Sequence, residues 1–223
     1  MTAVLDGGSV GASVASQRIA DQVRERILDG TLPPGARIRQ DDLAEELNAS
    51  RLPVREALRI LESSGLITLK SNRGAWVTQL DQRECELNYK IRERIEPLLL
   101  AESMRATTPA DVGELVELQE RIEATDDVET FLVLDRQLHW ATYRNHDAPQ
   151  LAQIVARLWD TTQHYRRAFS QRAWAEHRWT INSEHRLLIE AVRDSNVDIA
   201  QRVLEMHIRR TRIELLKHPE VFS

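Results

Sequence analysis

The sequence predicts a mainly α-helical protein: an N-terminal winged helix-turn-helix with a small β-hairpin, followed by a C-terminal six-helix antiparallel bundle. Three observations lead there. Every glycine except Gly113 lies before residue 75, so the chain changes regime near Leu80. Apolar residues recur at helical spacing on both sides of that boundary. The stretch from Leu66 to Val77 has the two β-prone runs and intervening turn of a hairpin.

In the first regime, Ile19, Val23 and Ile27 share one helical face, and the pattern stops at Gly30 and Pro33-Pro34-Gly35. A short helix follows, with Leu43, Ala44 and Leu47 together, ending at Asn48, a residue that tolerates left-handed backbone. Ser50 then caps a third helix with Pro53 in its first turn, a buried stripe of Val54, Ala57, Leu58 and Leu61, and Gly65 as its stop. Leu66-Ile67-Thr68-Leu69, the turn Ser71-Asn72-Arg73-Gly74 and Ala75-Trp76-Val77 make the hairpin. In the second regime, Leu87, Ile91, Ile95 and Leu98 mark the inward face of the first helix, which Pro97 is expected to kink or divide. Thr108-Pro109 opens the second helix, with Leu115, Leu118 and Ile122 inward. Phe131, Leu134, Leu138 and Ala141 mark the third. Asp147 is expected to cap a fourth helix carrying Leu151, Ile154, Leu158 and Tyr165. A fifth ends near Val192, and a sixth, from about Asn196, carries Ala200, Val203, Leu204 and Ile208. Short loops between such helices imply antiparallel packing. The expected organisation is a flexible tail over 1–15, a DNA-binding unit over 16–80 and an all-α unit over 81–218.

Composition excludes several classes. With 42% hydrophobic and 29% charged residues, the chain is neither a disordered polyelectrolyte nor a membrane protein. It has no run of about eighteen uninterrupted apolar residues and no basic-then-apolar leader, so no membrane partner is expected. Its one cysteine, Cys85, allows neither an internal disulfide nor cysteine-rich zinc chemistry, and a cytoplasmic setting follows. The formal charge of −5 does not exclude nucleic acid. Acidic and basic residues balance over the first eighty positions, and Arg51, Arg55, Arg59, Lys70 and Arg73 outnumber Glu56 and Glu62 locally. Only the contacting face must match the phosphates.

That face is the third helix. Arg51, Arg55 and Arg59 recur every four residues, opposite the stripe Val54, Ala57, Leu58 and Leu61, so core burial and groove exposure are compatible. Taken singly, each arginine reads equally as a solvated polar-face residue; the ordered helix, turn, helix and basic wing tip points to double-stranded operator DNA. The candidate contacts are Ser50, Arg51, Arg55 and Arg59 on the helix and Asn72, Arg73 and Gly74 at the wing tip. The pattern Ile27-Leu28-Asp29-Gly30, Leu32-Pro33-Pro34-Gly35, Asp42-Leu43-Ala44, Ser50-Arg51-Leu52-Pro53-Val54-Arg55-Glu56-Ala57-Leu58, Leu61-Glu62-Ser63-Ser64-Gly65-Leu66 and Asn72-Arg73-Gly74 resembles the winged helix-turn-helix of the GntR family of bacterial transcription regulators. The resemblance implies DNA contacts at Arg51 and Arg55 and a groove approach at Gly74. Asn48-Ala49 stands where that family usually has Gly-Val, and Leu52 where Thr is common.

In the second regime, Asp135 and His139 lie four apart and meet on one helical face. His185 sits beside Leu188 and Ile189, and His207 one turn from Val203 and Leu204. Four inward polar groups from three helices are either a hydrogen-bonded core network or ligands for a zinc-like divalent ion. Residues 82–217 resemble the FCD ligand-binding domain of the FadR subfamily, with the helix count of its VanR-type branch. That resemblance implies a divalent metal at Asp135, His139, His185 and His207, with zinc first and nickel or manganese as alternatives. It also sets Arg92 against a carboxylate-bearing effector, while the spacing alone equally allows a surface pair with Glu96. His146, His164, His177 and His218 match nothing and are expected to be exposed. Trp140, Trp159, Trp174 and Trp179 are expected in the core or an interface.

The reading is a ligand-responsive, DNA-binding regulator, a repressor rather than an enzyme. It is expected to act as a homodimer, because one winged module buries little surface. Its effector is a small organic acid. The alternative is an all-α metal-dependent hydrolase fused to a DNA-binding module, for which His146-Asp147 supplies a dipeptide but no separate general base is identifiable.

Overall fold

Helical spacing before Leu80 resolves into α1 (Gly7–Leu28), α2 (Gln40–Glu46) and α3 (Arg51–Ser63) in a computed structural model that describes residues 7–70 and 74–222. Of the expected tail over 1–15, residues 1–6 lie outside the described residues, and helix begins at Gly7. Once the buried turns at Ile19 and Val23 form, each preceding residue adds to the helix without a new nucleation cost. The hairpin gains a third strand: β1 (Arg37–Ile38) pairs antiparallel with β3 (Gly74–Val77), which also pairs with β2 (Ile67–Lys70), in the order β1-β3-β2. Two residues are too few to show strand periodicity, so β1 was invisible in the sequence. Ile19, Val23, Ile38, Leu43, Val54, Ala57, Leu61, Leu66, Ala75 and Val77 close one apolar core. Between α2 and α3, Asn48 takes the left-handed conformation, at φ 47°. This tight turn sets the angle between the two helices. Ser50 occupies the N-cap of α3 without a side-chain capping bond.

The chain divides into two compact units, with the boundary between Leu80 and Asp81. The second unit comprises α4 (Gln82–Met104), α5 (Pro109–Ala124), α6 (Val128–Tyr143), α7 (Pro149–Arg193), α8 (Val197–Leu216) and a short 3-10 helix, Pro219–Phe222. Asp81, Thr108, Asp127 and Asn196 cap their helices by side-chain bonds. Several expectations change here. The fourth and fifth helices are one 45-residue helix, α7. From Leu151 to Arg193 the chain has neither glycine nor proline, so nothing breaks it. Its N-cap is Ala148 rather than Asp147, with Pro149 opening the first turn. Pro97 does not divide α4.

The face of α4 is also reversed. Cys85, Tyr89, Arg92, Glu93, Glu96 and Leu99 point inward, while Leu87, Ile91 and Leu98 are exposed. The inward charges find partners across the bundle, which apolar periodicity does not reveal. Ile154 is likewise exposed. On α8, Ile199, Met206 and Ile213 recur every seven residues and are also exposed. The two helices run antiparallel: Gln82 Nε2 donates to Leu216 O, Gln201 Nε2 to Pro97 O, and Arg94 pairs with Glu205. Leu98 therefore lies level with Ile199, Ile91 with Met206, and Leu87 with Ile213. Helical phase turns all six to the outer face of the pair, away from the inward charges.

Candidate metal centre and DNA-reading helix

On α3, the arginines stand as spacing requires. Val54, Ala57, Leu58 and Leu61 are buried, and the side chains of Arg51, Arg55 and Arg59 are 76%, 55% and 61% exposed. Arg51 Nε lies 2.9 Å from Asp41 Oδ1, while Arg55 and Arg59 approach Glu56 at 3.6 and 3.3 Å. These are exposed pairs that salt and competing phosphates readily replace. Gly74 opens β3 at φ 105°, a conformation that glycine adopts without strain. The wing residues Asn72 and Arg73 lie outside the described residues. Beside Gly74, Lys70 and Arg37 approach the ring of Trp76, 4.9 and 5.5 Å from its centroid.

In the helical unit, Asp135 and His139 of α6, His185 of α7 and His207 of α8 converge. Their ligand atoms lie within 4.8 Å of one another, and all four residues are buried. Asp135 Oδ1 is 3.5 Å from His185 Nε2 and 4.0 Å from His139 Nε2. Outer partners orient two of the rings. His207 Nδ1 donates to Glu184 Oε2 at 2.7 Å, and His185 Nδ1 to Gln119 Oε1 at 2.9 Å. Gln119 is itself held by Glu123 and Asn182. Both Nε2 atoms are thereby left to the centre, and His185 Nε2 is buried without a hydrogen-bond partner. A lone pair so placed, among three imidazoles and one carboxylate, fits a divalent cation. Bonds of about 2.0–2.2 Å need only a small closing of the quartet.

The electrostatics suit ligation. Burial pushes the His139 imidazole well below its usual value, and pushes His185 down to about 3, with His207 adding to the effect. Burial acts to raise Asp135, but the Arg166 guanidinium paired with it holds its carboxyl below the usual range. Burial also opposes ionisation of Glu184, yet hydrogen bonds from His207 and Arg210 bring it down to about 2. Neutral imidazoles at His139 and His185 beside an ionised Asp135 are protonation states a cation needs.

Arg92 is 3% exposed and not on the surface. Its Nε donates to Glu96 Oε1 at 2.5 Å and its Nη1 to Thr162 at 3.1 Å, and it lies over Trp159 at 4.4 Å. Glu96 also accepts from Tyr143 and from Trp159 Nε1. Both readings of Arg92 thus meet in one place, for it pairs with Glu96 and lines a cavity of about 30 Å3 beside the quartet. Arg166 and Arg210 line the same cavity. Sequence reasoning missed these two, along with Gln119 and Glu184. Arg166 meets Asp135 from 31 positions away, and no spacing signals that contact. Glu184 could have been noticed as the carboxylate adjoining His185.

The remaining histidines are half-buried rather than exposed. His146 Nδ1 accepts the Ala148 N–H, and His177 and His218 pack on Phe169. Trp159 and Trp174 are in the core, but Trp179 is 79% exposed.

The description "Bacterial regulatory proteins, gntR family" matches residues 15–77, and "FCD domain" matches residues 87–210. The HTH-type regulator YdhC of Bacillus subtilis is 30% identical over 207 residues, covering 89% of each chain. The chain belongs to the GntR family. As a GntR regulator with an FCD domain, it is a DNA-binding transcription regulator and not an enzyme, so the hydrolase alternative falls. This GntR regulator is also similar to the galactonate operon transcriptional repressor of Escherichia coli, with 27% identity covering 88% of this chain and 95% of that one. A solved structure of McbR from Escherichia coli superposes with a TM-score of 0.81 at 24% identity, covering 92% and 98% of the two chains, and shows the shared fold. No helix among the described residues is long and apolar enough to cross a membrane.

The two depressed imidazoles give a testable pH dependence. Their folded-state values lie below the ordinary 6.5, so the stability they contribute is present above that pH and is lost as pH falls below it, for His185 down to about 3. In a chelator-treated protein, the melting temperature is expected to fall as pH drops below about 6.5. The drop should be smaller in His185→Gln, which lacks one of the two titrating rings. A melting temperature flat through that window would contradict the buried, neutral histidines.

Proposed function

We propose that this regulator is a ligand-responsive repressor that binds operator DNA as a homodimer, with a divalent metal and a small organic acid in its FCD domain. The observation that carries the ligand half is the buried His185 Nε2, left without a partner inside a quartet whose ligand atoms lie within 4.8 Å. Asp135, His139, His185 and His207 would hold the cation, zinc first given three imidazoles and a carboxylate, with nickel and manganese as alternatives. The ion would cross-link α6, α7 and α8 and present a positive centre to a carboxylate. Galactonate, the acid in the name of one relative, belongs to that ligand class. Arg92 helps to shape the ligand's wall of the cavity, held in place by Glu96.

The DNA half rests on α3, with Ser50, Arg51, Arg55 and Arg59 toward the groove and Asn72, Arg73 and Gly74 on the wing. The dimer rests on the outer face of α4 and α8. Leu87, Ile91, Leu98, Ile199, Met206 and Ile213 are large apolar side chains left exposed on adjacent helices, the kind of surface that marks an interface. A two-fold axis would place that face against itself.

Four measurements check this reading. Elemental analysis should find one divalent ion per chain in wild type after incubation with zinc, and a loss of it in His139→Ala and His207→Ala. Chelation should lower the melting temperature, since the ion binds only the folded state. Wild type without stoichiometric metal would make the quartet a core network. Arg55→Ala should weaken operator binding by roughly 1–3 kcal/mol per half-site if it reads a base, or lower the salt slope if it grips phosphate. Unchanged affinity in a gel shift at fixed salt would remove α3 from the groove. Light scattering at micromolar concentration should show a dimer for wild type and a monomer for Ile91→Glu/Met206→Glu. A variant that stays dimeric would place the interface elsewhere.

A further inference from the structure

The cavity beside the quartet is lined by three guanidinium groups, those of Arg92, Arg166 and Arg210. Each is already neutralised. Arg92 pairs with Glu96, Arg166 with Asp135 at 2.6 Å, and Arg210 with Glu184 at 2.6 Å. These three pairs leave the wall with no surplus charge of its own. Much of the rest is apolar, including Phe131, Phe169 and Ile181.

A divalent cation held by Asp135 and three neutral imidazoles would upset this balance. The single negative charge among its ligands is already shared with Arg166, so two positive charges would be left over in a water-poor site. Buried charge without a counter-charge is strongly disfavoured. None of the wall residues can supply the counter-charge, because every carboxylate there is engaged. A second, separate observation concerns Arg166. Its Nη1 binds Asp135 and its Nη2 reaches Leu132 O at 3.4 Å, but its Nε is buried with no acceptor. A guanidinium with a free N–H edge is suited to a carboxylate.

We infer that the ligand of this cavity is a short dicarboxylate, one carboxylate for the cation and the other for Arg166. The inference rests on the metal reading proposed above. Two acid groups cancel the two surplus charges, and the second gives Arg166 Nε its acceptor. The ligand is short because the cavity is about 30 Å3, and a water alone needs roughly 10–15 Å3 by this measure. A sugar acid with one carboxylate would leave one charge uncancelled.

The test uses the full chain, stripped with chelator and then titrated with zinc alone, by calorimetry and thermal shift. Malonate, succinate and glutarate are then compared with propionate, butanoate and pentanoate, chain length for chain length, and with galactonate. The best dicarboxylate should bind the zinc-loaded protein at least about tenfold more tightly than its monocarboxylate match, and should give no shift in stripped protein. Arg166→Gln should still take up zinc but lose most of that preference. A monocarboxylate or galactonate binding as tightly as every dicarboxylate overturns the inference and leaves the metal reading standing. Full preference retained in Arg166→Gln removes Arg166 from the ligand site. Should that variant fail to fold, the wild-type series decides alone. No zinc uptake in the first titration overturns the metal reading, and the dicarboxylate with it.

Discussion

Asp135 lies in the interior of the helical unit with 3% of its surface exposed, and an ionised carboxylate there must have a cation close by. Arg166 meets that need from α7, and the arrangement around it follows from the same constraint. Arg92 and Glu96 neutralise one another, Glu184 takes His207 and Arg210, and Glu93 takes Arg209 and Arg212. A buried pair of this kind is weak evidence for net stability, because removing both charges from water offsets most of their attraction. Its consequence is specificity. Breaking any one pair leaves an unpaired buried charge, so the helices have few alternative ways to pack.

This polar interior explains why α4 presents its apolar side outward. Arg92, Glu93 and Glu96 are spaced to face α6, α7 and α8, where their partners stand, and Leu87, Ile91 and Leu98 are left on the opposite side. Burying these ion pairs thus leaves an exposed apolar row on the outer side of α4. The same interior provides the Asp135, His139, His185 and His207 quartet with its outer support. Gln119 and Glu184 fix two imidazoles by their Nδ1 atoms and leave the other nitrogens to the centre. The winged unit is built on the opposite plan. Its core cluster is apolar, and the described arginines of α3 stay exposed, paired with Asp41 or Glu56.

Much was legible in the chain. Val54, Ala57, Leu58 and Leu61 gave the phase of α3, and with it the exposure of Arg51, Arg55 and Arg59. Asn48 was readable as a left-handed position because few residues other than glycine and asparagine tolerate it. The four-residue spacing of Asp135 and His139 placed them on one face, and the apolar neighbours of His185 and His207 turned these inward. Where reading went wrong, the interior was polar. The apolar stripe of α4 was assigned to the core by default, and of its buried charged residues only Arg92 was read as facing a pocket, with a surface pair to Glu96 as the equal alternative.

Local sequence therefore determined the helices of the winged unit, the caps at Asp81, Thr108, Asp127 and Asn196, and the residue types able to hold a cation. All of these depend on neighbours within a few positions, and such contacts are set by helical geometry alone. Only the tertiary structure decided which way α4 faces and that Arg166 lies against Asp135. Those outcomes depend on charge pairing between residues dozens of positions apart. A charged side chain carries no periodic signal that says whether its partner is a protein group or water.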